Sequence, residues 1–451
     1  MGSGVSTKYG DKKVSELTKE DLEQLTPDQR ANLQGMLGVK KPVGDADSSD
    51  TCVLVCGGGN AAQVVTGLCS TRYKTIAVSL FADEAAKWKA ALGGETGNMN
   101  AYELNVEGVH VKQILSKPYD ITNDPSVAKD ADVIILAVPS FAHGEYFEKF
   151  APHMKPGTIV AAMPARSGGD ILFGKKLGEK AEKMVFMGFE TLPWACRFTE
   201  WGKKATILGI KNNILAAVTP PSEKDRAVQT VQALLGVYPF IKQSPSNLGI
   251  SLRNPGMLVH PGVMYGRWCP DQWDGKPVAE KPLFYQGVDE YTEKVLEGMT
   301  GEVQAVRAKV EELVPGLDLS DAGTLKQWYL DCYSGQMADT STLRTCMNTN
   351  KGYNGLTHPC KEVEGGFMPD LKYRYIAEDV PTGLTFSKGL AELCGVETPT
   401  IDKVLLWCQE QLGKEFLKDG KMAGADIAET RAPQSVGIST FEEFKTLAKL
   451  G

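Results

Sequence analysis

Five histidines stand at positions 110, 143, 153, 260 and 358. Histidine is the side chain whose ordinary titration range brings proton transfer to neutral pH. His110 lies in the strand-like GVHVK and His153 in the turn APHMKPG, settings that suit structural or surface roles. His143 follows an apolar run and lines whatever lies at the end of it. His260 closes the stretch Asn254–His260, just ahead of Pro261 and close to where the sequence pattern changes. Pockets favour domain junctions, so His260 is the first choice for an acid–base group. The plain alternative is a hydrogen-bonded core histidine. A base also needs a partner that fixes its tautomer and steadies its charged form. Asp379, within Arg374–Gly383, offers a carboxylate, but one just ahead of a proline serves equally as a helix cap or turn former. Arg374 could reach cofactor phosphates or form a surface ion pair. The residues alone do not pair 260 with 379.

Such groups need a cofactor and a scaffold, and the strongest scaffold signal is Thr51–Ala62, TCVLVCGGGNAA. Cys52–Cys56 is a short apolar, β-prone run, as expected of a strand buried on both faces of a parallel sheet. Gly57, Gly59 and Ala62 fill the small positions of G-x-G-x-x-G/A, with Gly58 and Asn60 inside the same loop. The first glycine allows a tight turn, the second lets a pyrophosphate approach the backbone, and the third small residue lets helix and strand pack closely. Free N–H groups and the helix dipole would hold the phosphates. A second strand, Thr75–Phe81, and a helical stretch from Asp83 through Trp88 follow. The acid that grips an adenine ribose falls about 20 positions past the glycines. Here that position lands on Val78-Ser79-Leu80, with Asp83 slightly later, and no phosphate-binding arginine is evident; NAD is favoured over NADP on this ground alone. Further strands are expected at Ala131–Val138, leading into Pro139-Ser140-Phe141-Ala142-His143, and at Gly157–Met163, leading into Pro164–Gly169. Ligands bind at such carboxyl-end loops in open α/β sheets. The fold class is thus α/β, a doubly wound Rossmann-type N-terminal domain, followed by a mostly α-helical C-terminal domain. In the latter, Val288, Tyr291, Val295, Met299, Val303, Val306, Val310 and Leu313 recur at helical spacing, and Thr400–Leu412 reads as another helix.

At 451 residues the chain exceeds one ordinary core. Expected divisions are an N-terminal extension over 1–50, a dinucleotide-binding domain over 51–247 and a helical substrate domain over 248–451. Hydrophobic content of 42% and charged content of 23% describe a globular protein. A net charge of −7 argues against a nucleic-acid surface. No apolar run approaches the ~20 residues of a membrane span, and the polar N-terminus reads as no secretory signal. The ten cysteines form no C-x-x-C pair, which suits reduced thiols in a cytoplasmic protein better than disulfides or a metal site. Within the extension, Thr18–Asp21 and Thr26–Gln29 resemble capping boxes, so two short helices are expected before a polar linker at Lys40–Asp50. Gly2 opens an M-G-x-x-x-[ST] myristoylation pattern, though one myristoyl chain would bind membranes only marginally.

Several longer segments resemble one family. CGGGN at 56–60, SLFADEA at 79–85, Phe189–Arg197 (FETLPWACR), Pro282–Gly287 (PLFYQG), Gln327-Trp328-Tyr329, Arg374-Tyr375 and Glu378-Asp379 occur in the same order as in the opine dehydrogenases of marine invertebrates, the octopine dehydrogenase family. The resemblance runs from about Thr51 to the C-terminus. It implies an NADH-dependent reductive condensation of a 2-oxo acid, usually pyruvate, with an L-amino acid through an imine, regenerating NAD in anaerobic glycolysis. It also implies roles. His260 would transfer the proton and Asp379 polarise it; Arg374 would steady the pyrophosphate beside Pro139 and the glycine loop. Trp328 would line the 2-oxo acid pocket, and Glu190, Thr191 and Cys196 would border the amino-acid site. Small-molecule substrates are the implied partners, with the protein a monomer or weak homo-oligomer and no metal involved.

Two departures bear on the donor. The arginine-using members carry a glutamine where this chain has Arg166, and an aromatic residue where it has Gly256. A cation near the pocket disfavours a guanidinium, and a missing aromatic wall removes its stacking platform. Alanine, glycine or taurine is therefore the expected class of donor, although Glu190 is retained and could still pair with arginine. A two-domain dehydrogenase that needs no amine is a further reading, but it leaves FETLPWACR unexplained. A nucleotide sensor with a dead site is opposed by the presence of His260, Asp379 and Trp328 together.

Overall fold

In the computed structural model, the described residues are 8–9, 12–13, 51–96, 99–106, 112–211, 213–236 and 239–450. The capping boxes, linker and Gly2, as well as His110, lie outside them. Two compact units are present: one comprises residues up to Ala165 together with Phe173–Asn247, the other Arg166–Leu172 with Leu248–Gly451.

The first unit is built on an eight-stranded sheet. Its strands in chain order are β1 Cys52–Cys56, β2 Lys74–Val78, β3 Asp120–Thr122, β4 Val133–Leu136, β5 Ile159–Ala162, β6 Val185–Phe189, β7 Asn213–Thr219 and β8 Phe240–Gln243. Across the sheet they run 8-7-6-5-4-1-2-3. Strands β1 to β6 pair in parallel, β7 runs antiparallel to β6, and β8 is parallel to β7. This is the doubly wound order, in which the chain leaves β1 to one side for β2 and β3 and to the other for β4 and β5. All five residues of β1 are buried, because both its neighbours are strands and helices cover such sheets. Each fully buried Val or Leu there is worth about 1.5–3 kcal/mol. The expected strands at 131–138 and 157–163 are shortened at both ends, whereas the one at 75–81 starts one residue earlier and stops at Val78. A four-stranded second sheet, Trp194–Glu200, Lys204–Ile210, Tyr102–Val106 and Lys112–Ser116 in spatial order, was not foreseen. It carries the exposed edge residues that blur any clean apolar run: Trp194 and Cys196 point inward while Ala195 and Arg197 point out.

The second unit is mostly helical, with one short hairpin at Cys360–Val363 and Gly366–Pro369. Its longest helix, Glu290–Leu313, starts where the Asp289 carboxylate accepts the Thr292 N–H at 2.8 Å. It buries Val295, Met299, Val303, Val306 and Val310 of the stripe read from the sequence, and Leu296 beside them, while Tyr291 and Leu313 of that stripe are half-buried. Against it lies Gly256–Trp268, the helix that carries His260. A Cβ at Gly262 would come 2.6 Å from Leu296 Cδ2, so the absent side chain sets how closely these helices approach.

Candidate active site

In the first unit, β1 runs into Gly57, which adopts φ +97. A Cβ there would lie 2.6 Å from Val138 Cγ1, while none of the described atoms lies within 4 Å of the corresponding point at Gly59. The helix Asn60–Cys69 begins with Gly59 as N-cap, no side-chain cap and no acid in its first turn. The result is a small, open cradle facing an uncapped helix N-terminus, and it fits a pyrophosphate. The Gly58 carbonyl is taken by Gln63 Nε2 at 2.8 Å and Trp201 Nε1 at 3.2 Å. Asn60 Oδ1 accepts the Phe198 N–H at 2.9 Å, which ties the loop to the second sheet. Pro139 is exposed just past β4 and starts a short 3-10 turn.

The spacing places a ribose acid at 78–80, where none stands, with Asp83 slightly later. Asp83 is exposed and pairs with Lys87. The carboxylate that returns to the glycine loop is Glu84, from the first turn of the helix Glu84–Ala91; it packs on Gly58 and accepts the Ser79 hydroxyl. Ser79 stands directly after β2, so the acid reaches the expected place from one turn into the helix rather than from the strand end. A hydroxyl at the strand end and an acid five residues later were the available signal.

Glu190 is buried directly after β6 and accepts the Leu215 N–H at 3.0 Å. Thr191 is half-buried beside it. Cys196 sits in the hydrophobic core of this unit, where burial pushes its thiol up to about 11.

In the second unit, His260 and Asp379 meet. Their separation in sequence is long, yet His260 Nδ1 lies 2.7 Å from Asp379 Oδ2. Pro261, inside the helix, cannot donate to the Met257 carbonyl, which loosens the helix beside His260. Asp379 stands between the short helix Arg374–Ala377 and a π-helical turn at Val380–Leu384, and its side chain caps neither. Single π turns are frequent at functional sites. Asp379 is almost completely buried. Burial alone would push its carboxyl up, but the Arg166 guanidinium, His260 and Arg374 hold it below the usual carboxylate range. An ionised carboxylate only accepts, so Nδ1 donates to it, and in the neutral imidazole Nε2 carries the lone pair. The remaining partner is Tyr285, whose hydroxyl lies 3.2 Å from Nε2. Tyr375 stacks on the imidazole with ring centroids 4.1 Å apart. Tyr285 and Tyr375 belong to the segments PLFYQG and RY but had been given no role.

Arg166 departs most from expectation. Its guanidinium is paired: Nη1 lies 2.8 Å from Asp379 Oδ1 and Nη2 4.0 Å from Glu378 Oε1. Arg374, half-exposed, pairs with Glu378 Oε2 through Nε at 3.1 Å and Nη2 at 2.7 Å. Trp328 is buried, and its Nε1–H has no hydrogen-bond partner among the described residues. It reaches the histidine through other rings, Tyr333 to Tyr353 to Tyr285. His358 is a core group: it accepts the Trp268 indole N–H at 3.0 Å, and burial drives its titration down to about 3. His143 is buried against Phe147. Among the described residues no group of three or more His, Cys, Asp or Glu side chains could hold a metal, and no helix is long and apolar enough to cross a membrane.

Residues 243–412 match the family model described as NAD/NADP octopine/nopaline dehydrogenase, alpha-helical domain. The octopine dehydrogenase of Pecten maximus is 40% identical over 398 residues, covering 87% of this chain and 98% of that protein. The chain belongs to the opine dehydrogenase family. The tauropine dehydrogenase of Arabella iricolor is 39% identical, covering 86% of this chain and 98% of its own length. A solved octopine dehydrogenase with NADH and L-arginine superposes with a TM-score of 0.81 at 38% identity, covering 88% of this chain and 98% of that one. This opine dehydrogenase is accordingly an NAD-linked oxidoreductase of the class acting on CH–NH bonds. An octopine and a tauropine enzyme stand within one percentage point of identity, so overall similarity does not choose the amino donor.

Proposed function

We propose that this enzyme condenses pyruvate with a small neutral amino donor, alanine, glycine or taurine, and reduces the imine with NADH. The observation that carries the reading is the His260–Asp379 couple, 2.7 Å between Nδ1 and Oδ2 with the carboxylate buried. An amino acid arrives as an ammonium and cannot attack a carbonyl until it loses a proton. Nε2 accepts that proton, displacing the Tyr285 hydroxyl, and Asp379 balances the imidazolium. The freed amine adds to the 2-oxo carbon, and the proton held on Nε2 passes to the hydroxyl, which leaves as water. NADH, when bound, supplies the hydride that reduces the imine carbon. The Trp328 indole N–H, buried and without a partner among the described residues, is assigned to an oxygen of the 2-oxo acid.

For the cofactor, Gly57, Gly58, Gly59, Asn60 and Ala62 form the pyrophosphate loop with Pro139 beside it. Glu84 takes the ribose hydroxyls and disfavours a 2′-phosphate by charge. Arg374 is assigned to the pyrophosphate, and Glu190, Thr191 and Cys196 to the amino-acid side. Residues 51–247 are read as the dinucleotide-binding domain and 248–451 as the substrate domain, with 166–172 joining the latter by its contacts. The protein is read as cytoplasmic.

The donor assignment rests on Arg166 and Gly256. With its charge set against Asp379, Arg166 does not act as a free cation repelling guanidinium. It fills the space over Gly256, where an aromatic platform would otherwise stand. L-Arginine is the second reading, favoured by the retained Glu190 carboxylate. A panel of amino acids with pyruvate and NADH decides it. The highest catalytic efficiency should fall to one of the three small donors; L-arginine at the top would establish the second reading. NADH oxidation by pyruvate alone, at a rate unchanged by added amine, would point to an amine-independent dehydrogenase.

A further inference from the structure

Arg166 is built in an expensive way. Its backbone sits at φ 58, a left-handed region that residues other than glycine rarely adopt. Such strain persists only where the surroundings dictate it. Here the next residue is fastened from several sides: Ser167 Oγ donates to the Ser251 carbonyl at 2.8 Å, Asn254 Nδ2 donates to Ser167 Oγ at 3.2 Å, and Arg431 Nη1 donates to the Ser167 carbonyl at 3.3 Å. The strained backbone delivers a guanidinium whose side chain is only 12% exposed, and it delivers it to Asp379. The two carboxylate oxygens are thereby divided, Oδ2 to His260 and Oδ1 to Arg166.

The pocket is also cut to fit. A Cβ at Gly256, the first residue of the His260 helix, would collide with Arg166 Nη1 and would stand 2.6 Å from Asp379 Oδ1. Any larger residue there would push the guanidinium off the carboxylate. Gly256 and Arg166 are therefore matched: one leaves the room, the other fills it with charge. The contact is Coulombic rather than a directed hydrogen bond, since Asp379 Oδ1 has no donor aligned on it among the described residues.

We propose that Arg166 is a positioning residue for the proton-handling couple: through Asp379 it braces His260 and sets the pH at which the couple becomes protonated. This rests on the reading of His260 and Asp379 given above. The groups facing the couple are Arg374, Tyr375 and Glu378 from the segment that carries Asp379, Tyr285 from the segment before the long helix, and Arg166, with Arg431 behind it. Arg374 and Glu378 balance each other through their own ion pair. Arg166 is thus the cation set directly against Asp379. The sign follows without deciding which atom holds the proton. Removing a nearby cation makes an imidazole–carboxylate couple bind its proton more tightly, whether the proton is counted on nitrogen or oxygen.

The test is the pH dependence of kcat/KM for Arg166→Gln and Arg166→Lys, with NADH binding followed separately by fluorescence titration. In Arg166→Gln the acid limb should move to higher pH by on the order of one unit, with NADH affinity within about twofold of wild type. Arg166→Lys keeps a charge that needs no directed geometry and should return the limb most of the way. A limb that stays put in Arg166→Gln while the rate falls equally at every pH overturns the proposal and leaves Arg166 a packing group. A limb displaced equally in both variants overturns it too, because charge would not be the cause. If the wild-type profile has no acid limb and His260→Ala costs little, the functional reading itself fails, and this proposal with it.

Discussion

The glycine loop and the His260 centre are built by opposite means. The loop is contiguous, Gly57–Ala62 between one strand and one helix, and what it offers is backbone N–H groups, a helix end and missing side chains. The His260 centre is gathered from residues 166, 254, 256, 260, 285, 375 and 379, and what it offers is side-chain charge and aromatic packing. Backbone chemistry can be written in a short motif because neighbouring residues are already neighbours in space. Side-chain chemistry between distant residues exists only once the chain has folded. The two should therefore fail differently.

The largest effect is expected at the assembled centre. His260→Ala should lower turnover by about 10²–10⁴-fold while NADH titration stays near the wild-type value. Equal loss of both would make His260 a structural residue and erase the contrast. Next comes the loop. Gly57→Val meets both a disfavoured φ and the Val138 side chain, a cost of about 2–4 kcal/mol. Thermal unfolding should shift down by several degrees and NADH binding should be lost; unaltered NADH affinity would mean that the loop is no cofactor cradle. The smallest effect sharpens the loop's specificity. Glu84→Gln should weaken NADH binding by about tenfold and narrow its preference over NADPH, with little change in melting temperature. NADH and NADPH affinities both unchanged would remove Glu84 from the site.

Legibility followed the same division. The strand Cys52–Cys56, its loop and the helix Asn60–Cys69 were readable from one stretch, because burial on both faces leaves an unbroken apolar run. The long helix Glu290–Leu313 was readable from its 3.6-residue stripe. The sheet Trp194–Glu200, Lys204–Ile210, Tyr102–Val106 and Lys112–Ser116 was missed, since strands exposed on one face and irregular in register carry a weak signal. Glu84 was overlooked for a geometric reason: it reaches back from the first helical turn, whereas Asp83, nearer the expected position, turns to Lys87. Tyr285 was inside a quoted segment, but nothing in PLFYQG says that its hydroxyl points at an imidazole nitrogen.

By itself the sequence determined an α/β first half, a helical second half, a glycine loop between a buried strand and a helix, and a short roster of groups able to move a proton. It also supplied, by resemblance, the family that the relatives then established. Only the tertiary structure decided the partners. Asp379 belongs to His260 rather than to a helix end, Arg166 is paired with Asp379, and Glu84 packs on the glycine loop. The reason is physical: a side chain's charge is set by what burial brings beside it, and no local pattern encodes the contents of a neighbourhood drawn from positions up to about two hundred residues apart.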